Sequence, residues 1–308
     1  MASTSFRKVK SFLFANRFEN VGLLCKLSIL LAILINTLWL VPHYFPIYES
    51  GWLEKIPQAS KLQPSSFLIF SYVNNPIIAR YFLFAEILAV LNAMRHLRSI
   101  SAMIPVIFFS MNHYQRAWAV QDGGNNLSHI LIFYFLLLMP VNKSSKDQFS
   151  LLKNEVKVAF TNSSVFLIRA QIMMMYFAAA ISKIQGSVWQ KGTALFYIYQ
   201  SDYFGTESAR NLVMKYPGIS AVGSYLSILF QLAFCFLVLN RTFRYPLLII
   251  GILFHVGIAI TMKLYLFSLT MILAYSAFLD DETAGRILSF FRELVRTRPK
   301  WMASVRQE

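Results

Sequence analysis

The chain alternates between long apolar runs and short connections that carry nearly all of its charge. Lipid hydrocarbon about 30 Å thick is crossed by about 20 apolar residues of helix. Four runs meet that length cleanly, near 21–41, 77–94, 163–184 and 218–239. Four shorter or less clean runs lie near 100–112, 128–141, 246–261 and 265–279. Only Met262-Lys263-Leu264 separates the last two, so they are either two spans or one long broken helix. In hydrocarbon every backbone N–H and C=O must find a partner within the fold, which leaves helices as the natural reading. The pattern therefore predicts an all-α, polytopic membrane bundle of about eight transmembrane helices. With no repeat and no linker, the expected organisation is a basic interfacial segment over 1–18, a transmembrane domain over 19–280 and a cytoplasmic basic amphipathic tail over 281–308.

Charge orients the bundle. With eight spans and the N-terminus inside, 18 of the 29 Lys and Arg fall on the inner side and 8 on the outer; Lys26, Arg80 and Arg169 fall within spans. Positive residues concentrate on the cytoplasmic side of short loops, so both termini read as cytoplasmic. Lys26 and Arg80 sit near span ends, from which long side chains reach the interface. In the tail, Ile287, Leu288, Phe291, Leu294 and Val295 share one face, Arg286, Arg292 and Arg296 point elsewhere, and Asp280-Asp281-Glu282 is placed to cap the start. The N-terminal stretch has only Phe12-Leu13-Phe14 before Arg17 interrupts, which does not make a signal peptide.

Composition narrows the function classes. A soluble domain that is 56% apolar and 14% charged would have little surface to offer water. The net charge of +15 is scattered over loops beside apolar helices, as topology and contact with anionic lipid require. No zinc-finger, helix-turn-helix or RNA-binding pattern accompanies it, so the expected partner is the lipid bilayer and not nucleic acid. Cys25 and Cys235 both lie in spans, and the five histidines show no metal-ligand spacing, so no metal is expected. There is no P-loop, GxGxxG or GxSxG, and no repeat symmetry of the kind transporters use.

Chemistry then rests on the few polar groups at membrane depth, where an ionisable residue is costly and is a functional candidate by default. Glu86 lies in the second span, Arg169, Gln171, Tyr176 and Lys183 in the fifth, and His255 in the seventh. Arg169, Tyr176 and Lys183 are spaced by seven, about 20° short of two full turns, so they line one stripe. Glu86 and Arg169 are candidates for a structural ion pair. Lys183 either marks the outer interface or works as a base. Trp189, Phe196, Tyr197, Tyr199, Tyr203 and Phe204 form either an interfacial belt or a ligand groove, and Gly123-Gly124 either a plain turn or a close backbone approach. The residues leave open whether the chain is an enzyme.

Three motifs carry a resemblance. They are R-A-Q-I-M-M-M-Y-F-A-A-A-I-S-K-I-Q-G-S-V-W-Q-K-G-T-A from Arg169, G-I-L-F-H-V-G-I-A-I-T-M-K from Gly251, and Gln121-Asp122-Gly123-Gly124-Asn125-Asn126 before an apolar helix. In this order they resemble the HTTM membrane domain, the superfamily of the vitamin K-dependent γ-glutamyl carboxylases. W-x-x-G-T-A followed by Y-F-G is similar to the compact bacterial branch of sporulation-delaying protein B type. The resemblance implies a bacterial cytoplasmic-membrane protein acting at the outer face, with a small partner protein, in the maturation of a secreted peptide toxin. Its alternative implication is carboxylase- or epoxidase-like chemistry on a reduced quinone of menaquinone or vitamin K type. There Lys183 matches the base, with Tyr176 and His255 as catalytic candidates and Gln171, Trp189, Gly192, Gly123, Gly124 and Asn126 as substrate-binding candidates. The position of the carboxylases' supporting histidine is held by Leu127, near Asn126 and His129, a departure from the carboxylase pattern.

Overall fold

The structure, a computed structural model, describes residues 18–43, 76–116, 121–139 and 148–296. The N-terminal interfacial segment up to residue 17 and the end of the tail beyond 296 lie outside the described residues. Among those described there is no strand, and the apolar runs become helices: α1 Glu19–Leu40, α2 Pro76–Arg95, α3 Met103–Arg116, α4 Gly123–Tyr134, α5 Gln148–Gln185, α9 Pro217–Leu237, α10 Arg241–Met262 and α11 Tyr265–Ala274. Short helices α6 Ser187–Gln190, α7 Ala194–Gln200 and α8 Glu207–Lys215 link α5 to α9, and α12 Asp281–Arg296 follows α11.

Five of these helices are long and apolar enough to cross a membrane, and a shorter apolar stretch covers Tyr265–Phe278. Their burial separates centre from periphery. In the apolar window of α1, 72% of residues are buried, against 22% in α10, so α1 is the axis of the bundle and α10 a wall. Around α1 pack α2, α4, α5, α11 and α12. The outward faces of the peripheral helices show Leu88, Met174, Leu229, Phe236, Leu253 and Ile260, an apolar surface suited to lipid and too extensive for a water-facing protein. Helix α5 has 38 residues, about 57 Å at 1.5 Å per residue. That exceeds the hydrocarbon thickness, and its first turns carry Lys153, Glu155 and Lys157.

The break between the last two apolar runs makes two helices. Lys263 ends α10 in the left-handed region, at φ 59°, and α11 starts two residues later and packs back against α10. Asn240 caps the start of α10 by accepting from the Thr242 N–H.

The acidic cluster before α12 divides its work. Asp280 caps its own helix, accepting from the Thr283 N–H and hydroxyl. Asp281 instead turns to α1, where it accepts from the N–H groups of Asn20 and Val21 at 2.7 and 3.0 Å. A carboxylate there satisfies the orphan donors of another helix's first turn, so the tail helix is tied to the bundle axis. Ala284 and Leu288 are buried in that contact, whereas Phe291, expected on the apolar face, is exposed together with Phe290.

Two expectations change. Lys26 does not reach an interface: it is 1% exposed, and its Nζ donates to the Ser99 carbonyl at 3.0 Å. Glu86 and Arg169 do not pair. Arg169 Nε donates to the Ala277 carbonyl at 2.7 Å and its Nη2 to that of Leu279 at 3.3 Å, with the guanidinium over the Phe18 ring. It satisfies carbonyls at the end of the 3-10 turn Tyr275–Phe278, leaving Glu86 to partners on α3.

Candidate functional site

Tyr176 lies near the middle of α5 and turns inward, 2% exposed. Its hydroxyl is 2.7 Å from His255 Nε2 on α10 and 2.6 Å from the Tyr275 hydroxyl after α11. Three polar side chains from three helices thus meet where hydrocarbon would leave each alone, and each supplies what another lacks. Gly251 makes the junction possible. It stands one turn before His255, and a Cβ there would come within 2.5 Å of the Tyr275 hydroxyl. The rings of Phe230 and Phe234 pack on Tyr176, and those of Phe254 and Phe267 on His255.

This network borders a cavity of about 900 Å³, at the upper end of the range for ligand sites. Its walls are largely apolar, among them Leu226, Phe230, Leu253, Phe254 and Phe267, and its polar groups are few. His255 Nδ1 and Gln231 Oε1 are buried with no hydrogen-bond partner among the described residues, and both side chains line the cavity. Lys183 lies on the same wall two turns beyond Tyr176, its Nζ 5.0 Å from the centre of the Trp189 ring and 3.5 Å from the Ala179 carbonyl. No carboxylate pairs with it among the described residues. The expected stripe exists, but its members have separate surroundings: Arg169 binds carbonyls, Tyr176 a hydroxyl–imidazole chain, and Lys183 an aromatic ring beside the cavity.

The segments around the cavity are fixed locally. Gly192 sits at φ +69°, where a Cβ would also press on Ala221 at 2.9 Å, so this turn takes glycine for two reasons. Ser220 accepts from the Phe196 N–H and donates to the Gly192 carbonyl, clamping the α6–α7 turn onto α9. The Thr206 N–H donates to the Thr261 carbonyl, tying the start of α8 to α10.

At the start of α4, Asp122 Oδ1 accepts from the N–H groups of Gly124 and Asn125. Burial raises the Asp122 carboxyl, and these two N–H groups act against the rise. Gly123 faces the large cavity, while Asp122 and Asn125 face a smaller one of about 70 Å³ between α1, α2, α3 and α4.

Of the sequence candidates, the structure brings Lys183, Tyr176, His255, Trp189 and Gly123 to one cavity. Gln171, Asn126, Gly124 and Gly192 do not line it and make contacts elsewhere. Gln171 accepts from the Tyr134 hydroxyl at 3.4 Å, Asn126 from that of Tyr114 at 2.6 Å, and Gly124 lies against Thr270 and the Phe267 backbone. Tyr275 and Gln231 were not singled out from sequence. Gln231 carried a signal, an amide within a long apolar run. Tyr275 carried none, since a tyrosine near a span end reads as an interfacial residue.

Comparison with known proteins places this arrangement. Residues 125–282, just over half of the chain, match the HTTM domain family. The sporulation-delaying protein SdpB of Bacillus subtilis (strain 168) is 26% identical over 189 residues, 56% of this chain and 57% of that protein. The chain thus aligns with little more than half the length of that relative. No solved structure matches. The chain belongs to the HTTM domain family.

Proposed function

We propose that this HTTM protein acts at the outer face of a bacterial cytoplasmic membrane in the maturation of a secreted peptide toxin or antimicrobial peptide, together with a partner protein. The observation that carries this reading is the 900 Å³ cavity on which Lys183, Trp189, Tyr176, His255 and Gly123 meet. A cavity with mostly apolar walls and a handful of hydrogen-bonding groups suits a hydrophobic peptide segment. The similarity to the sporulation-delaying protein supports the peptide pathway. In this reading α3, α4 and α11 join the five long helices to make eight spans, with residues 1–18 and 281–308 on the cytoplasmic side.

One observation favours a second reading. Lys183 presents an amine to an apolar cavity without a carboxylate partner among the described residues, the setting in which a lysine loses its proton and serves as a base. A reduced quinone of menaquinone type would then occupy the cavity, and Lys183 would take its hydroxyl proton. The quinone supplies the redox chemistry when bound. The protein's own part is to exclude water, seat the ring beside Trp189 and hold the Tyr176–His255 chain near it.

The two readings separate in one experiment: mass spectrometry of lipids and peptides retained by protein extracted in native nanodiscs. A hydrophobic peptide retained by the wild type and released by Leu226→Trp, which fills the cavity, supports peptide maturation. Retained menaquinone released by the same variant supports the quinone reading. Retention of neither, or retention indifferent to Leu226→Trp, rejects the cavity as the site.

A further inference from the structure

Lipid-embedded helices bury polar groups only where partners are supplied, yet a second polar cluster lies away from the large cavity. Glu86 on α2 is 2% exposed. Its Oε1 accepts from the Ser110 hydroxyl at 2.6 Å and its Oε2 from His113 Nδ1 in a short contact, both on α3. On α4, His129 has Nδ1 2.6 Å from the Asn125 carbonyl and Nε2 3.2 Å from that of Ser110.

Charge counting around the 70 Å³ pocket follows. The titratable groups facing it among the described residues are Glu86 from α2, His113 and Tyr114 from α3, and Asp122 and His129 from the start and body of α4; α1 contributes only Asn36 and Thr37. Glu86 has His113 as its counterpart, whereas Asp122 accepts only from the backbone N–H groups of Gly124 and Asn125 and has no ion-pair partner among the described residues, so one carboxylate is left unmatched. Three oxygens around the same pocket also have no hydrogen-bond partner among the described residues: Asn36 Oδ1, Gln121 Oε1 and Ser128 Oγ. Asn36 is 9% exposed and Ser128 1%. Buried oxygens without partners call for water or an ion. A single such group is a common imperfection, but three around one void with a residual negative charge form a ligand set.

We propose that the pocket enclosed by α1–α4 binds one hard monovalent cation, with Na⁺ as the reference ion. The donors are neutral oxygens with Asp122 alongside, the preference of a hard ion. Both oxygens of Glu86 are already engaged, so it acts through its field. A divalent ion would want more carboxylate than one net charge provides, and no group of three His, Cys, Asp or Glu converges among the described residues to hold a transition metal. The void exceeds the 10–15 Å³ that one water needs, so the ion would keep one or two waters. Its place is structural: it joins α1 to the start of α4, whose next residue, Gly123, lines the large cavity.

The test is thermal unfolding of the detergent-purified full chain in Na⁺, K⁺ or N-methylglucamine chloride at constant ionic strength. A bound ion stabilises by mass action, so the expected result is a saturable rise in melting temperature of about 5 °C with Na⁺ or K⁺ over N-methylglucamine. Ser128→Ala should shift the half-effect concentration upward about tenfold, and Asn36→Ala likewise. Equal melting curves in all three salts overturn the proposal and leave ordered water as the occupant. A rise with Ca²⁺ or Mg²⁺ but neither monovalent ion overturns it too. The wild-type salt series decides the matter even where a variant fails to fold.

Discussion

Two cavities meet at the start of α4, and the bundle treats polarity differently in each. The large one is bounded by α5, α9, α10 and α11, and its deep polar groups form a chain of hydroxyls and an imidazole without a carboxylate. The small one is bounded by α1–α4 and closes around Glu86 and two histidines. Neutral groups in an apolar cavity leave room and hydrogen-bonding capacity for a ligand. Ionised groups in hydrocarbon must instead be matched on the spot, because a buried charge without a counterpart costs several kcal/mol. The comparison teaches that the small pocket pins helices together, and the large one keeps room for a ligand.

Breaking the small pocket should have the largest effect. Glu86→Ala removes the buried carboxylate that the Ser110 hydroxyl and His113 meet, which should cost about 3–5 kcal/mol. The readout is loss of the folded species in size-exclusion chromatography and scanning fluorimetry. Glu86→Gln keeps an acceptor for Ser110 and should fall between. A Glu86→Ala protein as stable as the wild type would show that the pocket pins nothing.

In the large cavity the effect should fall on function and spare the fold. On the reading proposed above in which Lys183 is a base, Lys183→Ala should lower turnover of the reduced quinone by about 10²–10⁴-fold, the usual contribution of a general base, with unchanged melting temperature. Lys183→Arg should not restore activity, because guanidinium keeps its proton. If Arg restores it, positive charge alone was needed and the base assignment is wrong.

Gly251→Ala tests the floor of that cavity. Its methyl would press on the Tyr275 hydroxyl, and overpacking of this kind costs about 1–3 kcal/mol. Tyr275→Phe alone should cost about 1 kcal/mol by breaking one hydrogen bond of the chain. Combined, the two should cost less than their sum, since phenylalanine removes the oxygen that the methyl meets. Strict additivity in unfolding midpoints would mean that they do not touch.

The smallest effect belongs to neither cavity. The Tyr245 hydroxyl, with the Thr283 N–H behind it, holds the Asp280 carboxyl down to about 2, against an ordinary value of 3.8. A lowered carboxyl stabilises the fold above its unfolded value, and the gain fades as pH falls from about 4 toward 2. Asp281 shifts the other way, raised by burial, so the total acid limb mixes two signs. The difference between wild type and Asp280→Asn isolates the first. It should be small at pH 6 and shrink further as pH falls through that window, which melting temperatures at stepped pH would show. A difference that grows on acidification would refute the assignment.

Apolar run lengths and their boundaries were enough to announce a helical membrane protein. Hydrophobicity and helix length are properties of a segment and survive whatever the segment packs against. The seven-residue spacing likewise put Arg169, Tyr176 and Lys183 on one face of α5, since the helical repeat is local geometry. What that face would meet was beyond such reasoning. Opposite charge suggested Arg169 for Glu86, but the rotation of α2 against α3 gave Glu86 to His113 and Ser110, and Arg169 went to the carbonyls of Ala277 and Leu279. Lys26 looked able to reach water from a span end, but α1 became the axis of the bundle and enclosed it against Ser99. Tyr275 entered the site because Gly251, on another helix, leaves room for its hydroxyl. Periodicity determines which residues share a helix face. Which faces meet depends on side-chain shapes from several helices at once, and only the tertiary structure decided that.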